Sequence, residues 1–350
     1  MAVPFFEGRK NSRQRAADIW DFCCSPRAFT VASAPFSTNL MELWTFHLSL
    51  MPQPFKPLLF SLLVLGGDVC RANTEVGADV FFGIEHDSNV AVDEVDRSTN
   101  LGDIGRRFGG GIRVNHDFSE DVSGKMSYGF NAIDYAEFDR LSRQTHTLST
   151  GLTRNMASLK GNVTYFFTNS RLDNSNFLTY HRVSPSLSGF VSKRWFFRGG
   201  YVYGDKTLEQ RPGRDATSHG LETDAYYFWR GLRRYFNLGY AYKTENSRAD
   251  RFDFSGHTVK LRAVQRLELG ANLSTLEGGL RYEQRDYQSL TPSIGENRFD
   301  DRIKVFIRLD YALTKRLTWR FYADYSDYQS NLPSADYDQT VLGTEIKFSF

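Results

Sequence analysis

Along residues 301–350 apolar and polar side chains take alternate positions. Ile303, Val305, Ile307, Leu309 and Tyr311 fall on one side of an extended chain, and Arg302, Lys304, Arg308 and Asp310 on the other. After the polar turn 314–316, Leu317, Trp319, Phe321, Ala323 and Tyr325 repeat the apolar side against Thr318, Arg320, Tyr322 and Asp324. Leu342, Thr344, Ile346, Phe348 and Phe350 make a third such stretch, which ends on an aromatic residue. Successive side chains of a strand point to opposite faces, so a period of two predicts strands with one apolar and one ionic face. Long strands whose apolar faces end in aromatics predict a transmembrane β-barrel, greasy side to lipid and ionic side to the lumen.

The same pattern runs from residue 75 onward, with Val76, Ala78, Val80, Phe82 and Ile84 opening it. Short polar turns are expected at 119–123, 154–157, 192–194, 230–234, 265–271 and 314–316. Longer polar loops are expected at 87–103, 136–144, 168–177, 204–219, 245–254, 287–299 and 329–338. The fold class is therefore all-β, an antiparallel up-and-down barrel of about 14 strands, with 12 or 16 as alternatives. An even count puts both ends of the barrel on the short-turn side, which is the periplasmic side in outer-membrane barrels.

Composition changes this picture little. A mean hydropathy of −0.45 and the lack of an apolar run of about 18 residues exclude ordinary membrane helices. Barrel strands hide half of their residues from a window average, so low hydropathy does not argue against a membrane. The first 72 residues hold seven Lys/Arg and five Asp/Glu of the chain's 43 and 41, which leaves 36 of each sign for 73–350. That balance offers no basic stripe for nucleic acid. Cys23, Cys24 and Cys70 all precede residue 73, so the strands have no disulfide framework, thiolate metal site or Cys nucleophile.

The leading segment divides in two. Residues 51–72 read as a signal peptide: a short basic start with Lys56, the apolar run 57–67 (PLLFSLLVLGG), and Ala72 before the expected mature end at Asn73. Residues 1–50 show no period and are expected to be an upstream extension, disordered or outside the native product, with translation starting at Met51 or Met41.

Candidate chemistry lies on the ionic faces. Arg113, Lys160, Arg182, Arg198, Arg262, Arg281, Glu283, Arg302, Lys304, Arg308, Asp310 and Arg320 are expected to line the lumen, in Arg–carboxylate ladders between neighbouring strands. The lumen is then a solute path, or is closed by its own ion pairs or by an infolded loop such as 204–219. Trp195, Trp229 and Trp319 flank short turns, where an indole buries its ring and keeps its N–H wet, as in a periplasmic aromatic girdle. No catalytic or metal-ligating set and no cofactor site is expected. The seven histidines lack i, i+4 spacing, His86-Asp87-Ser88 has hydrolase residue types without triad geometry, and Asp87, Asp93, Glu94 and Asp96 lack EF-hand spacing and read as a solvated face. Gly109-Gly110-Gly111 lies within a strand and reads as a bend or a close backbone approach, not a phosphate cradle.

Residues 75–350 resemble the outer-membrane β-barrel porin families and the barrel part of surface lipoprotein assembly modifiers. The likeness is carried by Glu85-His86-Asp87-Ser88-Asn89-Val90, by Asp310 to Leu317, by Tyr325 to Asn331, by Asp336-Tyr337-Asp338 and by the closing Phe348-Ser349-Phe350. It implies residence in the outer membrane, contact with its lipid and lipopolysaccharide, and a terminal signal (Phe348, Phe350) read by the barrel-assembly machinery. A helical repeat domain of the assembly-modifier kind is not expected before the strands, which weighs against a role in lipoprotein export. The expected function is a passive or weakly selective channel for a small polar solute. The alternatives are a non-conducting scaffold or export partner that binds a protein or polysaccharide, and, further off, a barrel hydrolase.

Overall fold

The computed structural model describes residues 74–269 and 272–350. The expected signal peptide (51–72), the extension (1–50) and all three cysteines lie outside them. The strands are β1 (Thr74–Asp87), the two-residue β2 (Ala91–Val92) and β3 (Arg97–Ser98), β4 (Asp103–Asp117), β5 (Val122–Tyr135), β6 (Arg143–Met156), β7 (Leu159–Leu172) and β8 (Ser175–Phe190). They continue with β9 (Trp195–Leu208), β10 (Ala216–Leu232), β11 (Arg234–Ser247), β12 (Phe254–Leu269), β13 (Asn272–Thr291), β14 (Glu296–Ala312), β15 (Leu317–Ser330) and β16 (Tyr337–Ser349).

All strands but β2 and β3 pair antiparallel with their sequence neighbours, and β1 pairs β16 from Asp79 opposite Ser349 to Asp87 opposite Val341. The result is one closed barrel of 14 strands. Closure follows from the backbone: an open edge in lipid would leave N–H and C=O groups without partners.

The faces are inverted relative to a soluble protein. Val80, Phe82, Ile84, Val305, Ile307, Leu342 and Ile346 are exposed, whereas Asp79, Glu85, Glu283, Arg302 and Glu345 are buried. Ile307 is 54% exposed and Glu345 4%. An exposed apolar surface on this scale marks a surface that meets lipid. The lumen also holds an apolar layer that the alternation does not announce. Phe196, Phe228, Tyr235 and Val264 pack inside the barrel with Phe190, Tyr226 and Leu232, next to the short turns at 191–194 and 233. At that end the inner wall is aromatic and not ionic, contrary to the expectation of a polar face throughout.

The short turns near 119–123, 154–157, 192–194, 230–234 and 314–316 fall close to where the sequence places them, and the one expected at 265–271 falls at 270–271, outside the described residues. The longer connections differ, because most strands run further than the apolar alternation. The expected loop 168–177 is a two-residue hairpin turn between β7 and β8, in which Asp173 (φ 49°) and Asn174 (φ 57°) both take the left-handed conformation. Asp and Asn are the non-glycine residues that reach this region most readily, and two successive positive φ angles match strand twist in a tight hairpin. The expected loop 204–219 shrinks to 209–215 because β9 and β10 extend beyond the apolar alternation.

Candidate functional site: the barrel lumen and its capped mouth

The connection 88–102 folds over the barrel end. It carries the β2–β3 ladder, and Val92 packs against Phe177 and Leu208. Around the ring of 14, β8 and β9 stand four to six places away from β1 and β4, the strands that this loop joins. A loop that leaves one side of a barrel and packs against the other crosses its mouth. The segment across the mouth is thus 88–102, and Arg214 from 209–215, within the 204–219 stretch expected as one example of an infolded loop, helps to hold it.

Its anchor is ionic. Arg298, 2% exposed, grips both oxygens of Asp96 at 2.8 and 2.9 Å and both of Asp300 at 2.7 and 2.8 Å. Arg214 donates to Asp96 from the facing loop, and the Tyr337 hydroxyl donates to Asp93. Burial alone would raise the Asp96 pKa, but the hydrogen bonds and charge of Arg298, with Arg214 behind it, outweigh burial and hold it at about 2. Asp87 is 2% exposed and takes hydrogen bonds from Tyr135 Oη (2.9 Å) and Gln339 Nε2 (2.9 Å to each oxygen). The expectation of a solvated acidic face is corrected for Asp87 and Asp96, since basic and hydroxyl partners compensate their burial.

The motif 85–90 roots this loop in the wall. Glu85 accepts from Tyr322 Oη (2.6 Å) and pairs with Arg107 (3.3 Å), Ser88 Oγ accepts from Thr340 N, and Asn89 bridges Asp338 and Asn100. His86-Asp87-Ser88 is therefore a structural corner. No group of three metal-ligating side chains occurs among the described residues.

Below the mouth the wall carries Arg–carboxylate and Lys–carboxylate pairs, some between strands and some within one strand. Arg113 pairs with Asp79 (2.7 Å), Arg182 with Glu222 (2.9 Å), Arg198 with Asp224 (3.3 Å) and Arg262 with Glu277 at 2.8 Å twice. Glu283 lies between Arg281 and Arg285 at 2.6 Å each, and Arg302 meets Asp300 at 3.1 Å. Lys304 stands 3.8 Å from Asp324, and Arg320 joins Asp310 (2.6 Å) to Glu345 (2.9 Å). Lys160 faces Ser188 across the β7–β8 pair. Arg308 has no carboxylate within 4.0 Å among the described residues. A cavity of about 230 Å³ lies between β1, β4, β5 and β14–β16, lined by residues that include Phe81, Arg107, Arg308 and Tyr322.

Glycines shape this wall. A Cβ on Gly343 would lie 2.1 Å from the Tyr322 ring, and one on Gly109 would lie 2.6 Å from the Phe81 ring. Each ring lies close against the bare backbone of the neighbouring strand, which makes Gly109 a close approach within the 109–111 run.

Outside, Trp195, Trp229 and Trp319 are exposed beside the short turns, and Trp319 Nε1 donates to Thr344 Oγ1 at 2.7 Å. A second outer band was missed from sequence. Tyr128–His146, Tyr165–His181, Tyr201–His219 and Tyr240–His257 each share a hydrogen bond between Oη and Nδ1, at 2.7, 2.8, 2.5 and 2.8 Å. In every case the His stands opposite the aromatic residue two places after the Tyr: Phe130, Phe167, Tyr203 and Tyr242. The next hairpin replaces His by Asp, with Tyr282 donating to Asp301 at 2.7 Å. The signal was present as Tyr-x-aromatic followed by His 16 to 18 residues after the Tyr, four times in succession.

Phe350 ends the chain against β1, with its N–H donating to Ala78 O at 2.9 Å and its ring edge-on to Phe348.

Comparison with known proteins finds a family match over part of the chain and distant likenesses among solved structures. Residues 219–350, from within β10 to the end, match the family described as "Putative beta-barrel porin 2". No curated protein matches the chain. Among solved structures, an anion-selective porin from Comamonas acidovorans aligns at 10% identity and a TM-score of 0.47, over 80% of this chain and 100% of its own. A loop-deletion mutant of OmpT, an outer membrane protein of Vibrio cholerae, aligns at 10% identity and 0.49, over 80% and 99%. Salmonella typhi OmpF in complex with daunomycin aligns at 11% and 0.46, over 79% and 98%. The closed barrel with its apolar exterior, and the porin-family match of its last seven strands, put this chain in the outer membrane.

Proposed function

We propose that the barrel is a porin-like channel with a narrowed mouth, which passes small polar solutes along its ionic wall without chemical catalysis. The observation that supports this reading is the water-compatible cavity of about 230 Å³ among Arg, Lys and carboxylate side chains, in a barrel whose mouth is crossed by the 88–102 loop. A fixed, charged wall selects solutes by size and by charge placement. Single-channel recording after reconstitution tests it: discrete openings support a channel, and a silent bilayer with correctly folded protein refutes it.

A second reading, a non-conducting scaffold or export partner, draws on the same loop and on the aromatic layer at the other end of the lumen. On that reading the outer loops bind a protein or polysaccharide. It predicts no openings even when the loop is released.

The two outer bands bound the lipid zone on this account. Trp195 and Tyr203 are eight residues apart on β9, which at ~3.3 Å per residue and a tilt of ~40° is about 20 Å along the membrane normal. That is close to the ~25 Å apolar band of such barrels. The Trp residues then sit at the periplasmic interface and the Tyr–His pairs at the outer leaflet. There each His has Nε2 left to meet a lipid or lipopolysaccharide headgroup. The Phe348–Phe350 end is the segment presented to the barrel-assembly machinery.

A further inference from the structure

The cavity wall has one more cation than it has carboxylates. Arg107, Arg308, Arg320 and Lys347 line it, against Asp79, Asp324 and Glu345. Lys347 meets Asp79 at 3.2 Å, Arg320 meets Glu345 at 2.9 Å, and Arg107 meets Glu85 at 3.3 Å. Asp324 is served by Lys304 at 3.8 Å. Arg308 alone of the four has no acid.

Its neighbours explain why. Arg308 stands opposite Glu277 on β13 and Tyr322 on β15. The Glu277 carboxylate is taken by two 2.8 Å bonds from Arg262. The Tyr322 hydroxyl donates to Glu85 and accepts from Arg107. Arg308 Nε is shielded from solvent and has no hydrogen-bond partner. An arginine left so is a fork of donors with its positive charge uncompensated, a geometry that matches a carboxylate.

We propose that Arg308 and this cavity form a binding site for a small organic carboxylate. The inference rests on a lumen accessible to solutes, and it deepens the channel reading by naming the solute class. The cavity of about 230 Å³ equals about eight waters at ~30 Å³ each, which suits an anion of roughly ten heavy atoms. The Phe81 and Tyr322 rings offer flat apolar surface beside the charge, and Asn131 offers an amide. The carboxylate pairs with Arg308, and the body of the solute lies against the rings.

The test is fluorine NMR of 4-fluorobenzoate with the folded full-length barrel in detergent, and 4-fluorobenzyl alcohol as the neutral control. Saturable line broadening of the benzoate is expected, with little effect on the alcohol. Arg308→Gln should weaken benzoate binding at least tenfold, and Arg308→Lys, which keeps the charge without the fork, should fall between. Equal benzoate binding in Arg308→Gln, equal binding of the alcohol, or no binding to the wild type would overturn the proposal. Retained heat-modifiable gel mobility shows that each variant is folded. Binding in detergent does not need ion flow, so a silent bilayer counts against the channel reading and leaves this outcome to decide the site.

Discussion

At the scale of single residues the barrel depends on compensation inside a wet cylinder. Tyr322 shows this: its ring fits only because Gly343 has no side chain, and its hydroxyl then reaches Glu85 and Arg107. Gly343→Ala forces the ring away and breaks both bonds. A loss of about 1–3 kcal/mol in denaturant unfolding of the refolded barrel is expected, the range for overpacked sites. Asp96 is the corresponding point in the mouth. Asp96→Asn leaves Arg298 buried with one of its two carboxylates gone, and removing one partner of a buried pair costs ~3–5 kcal/mol. That cost falls on the loop, so proteolysis within 88–102 should become faster and conductance should rise. Its pH dependence follows from the depressed pKa. A carboxyl held at about 2 instead of 3.8 contributes stability above 3.8 that disappears as pH falls through 2. Loop protection should therefore be flat between about pH 5 and 8 and fail only near pH 2.

At the scale of elements, alternation made the strands legible and left their ends uncertain. Ile303, Val305 and Ile307 against Lys304 and Arg308 specify a strand and its faces without any partner. The outer ends of β7–β10 carry polar residues on both faces, so the period fades where the strand continues, and pairing can be seen only in the folded chain. The β7–β8 turn had a local signal in Asp173-Asn174, since these residues tolerate positive φ, but its polar flanks read as a loop. The destination of the 88–102 loop was illegible for another reason: Asp96 and Arg298 are 202 residues apart, and no local pattern encodes their meeting. The cations of the inner wall were readable as a class; that Arg308 has no carboxylate beside it among the described residues depends on which acid each neighbour takes. The two faces of β14 should respond oppositely to charge. Ile307→Arg puts a cation against lipid and should cost about 2–4 kcal/mol if it lies near the bilayer centre. Arg308→Gln, one residue further on, should change stability by less than about 1 kcal/mol, because no ion pair is lost.

At the scale of the whole molecule, closure is what lets such a polar sequence cross a membrane. The β1–β16 seam joins the two ends of the barrel, and Phe350 sits beside it. Deleting Phe350 is expected to lower the yield of heat-modifiable barrel in cells, while denatured protein refolded directly into detergent is affected far less. Equal yields in cells would remove the assembly role. The central claim is the inversion itself, apolar faces outward and ionic faces around a lumen. Nitroxide labels placed singly at residues 303 to 309 in lipid vesicles test it most directly, through collision with oxygen against a polar nickel chelate. The account predicts oxygen-rich, chelate-poor signals at 303, 305, 307 and 309 and the reverse at 304, 306 and 308. The opposite phase, or no alternation, would contradict it.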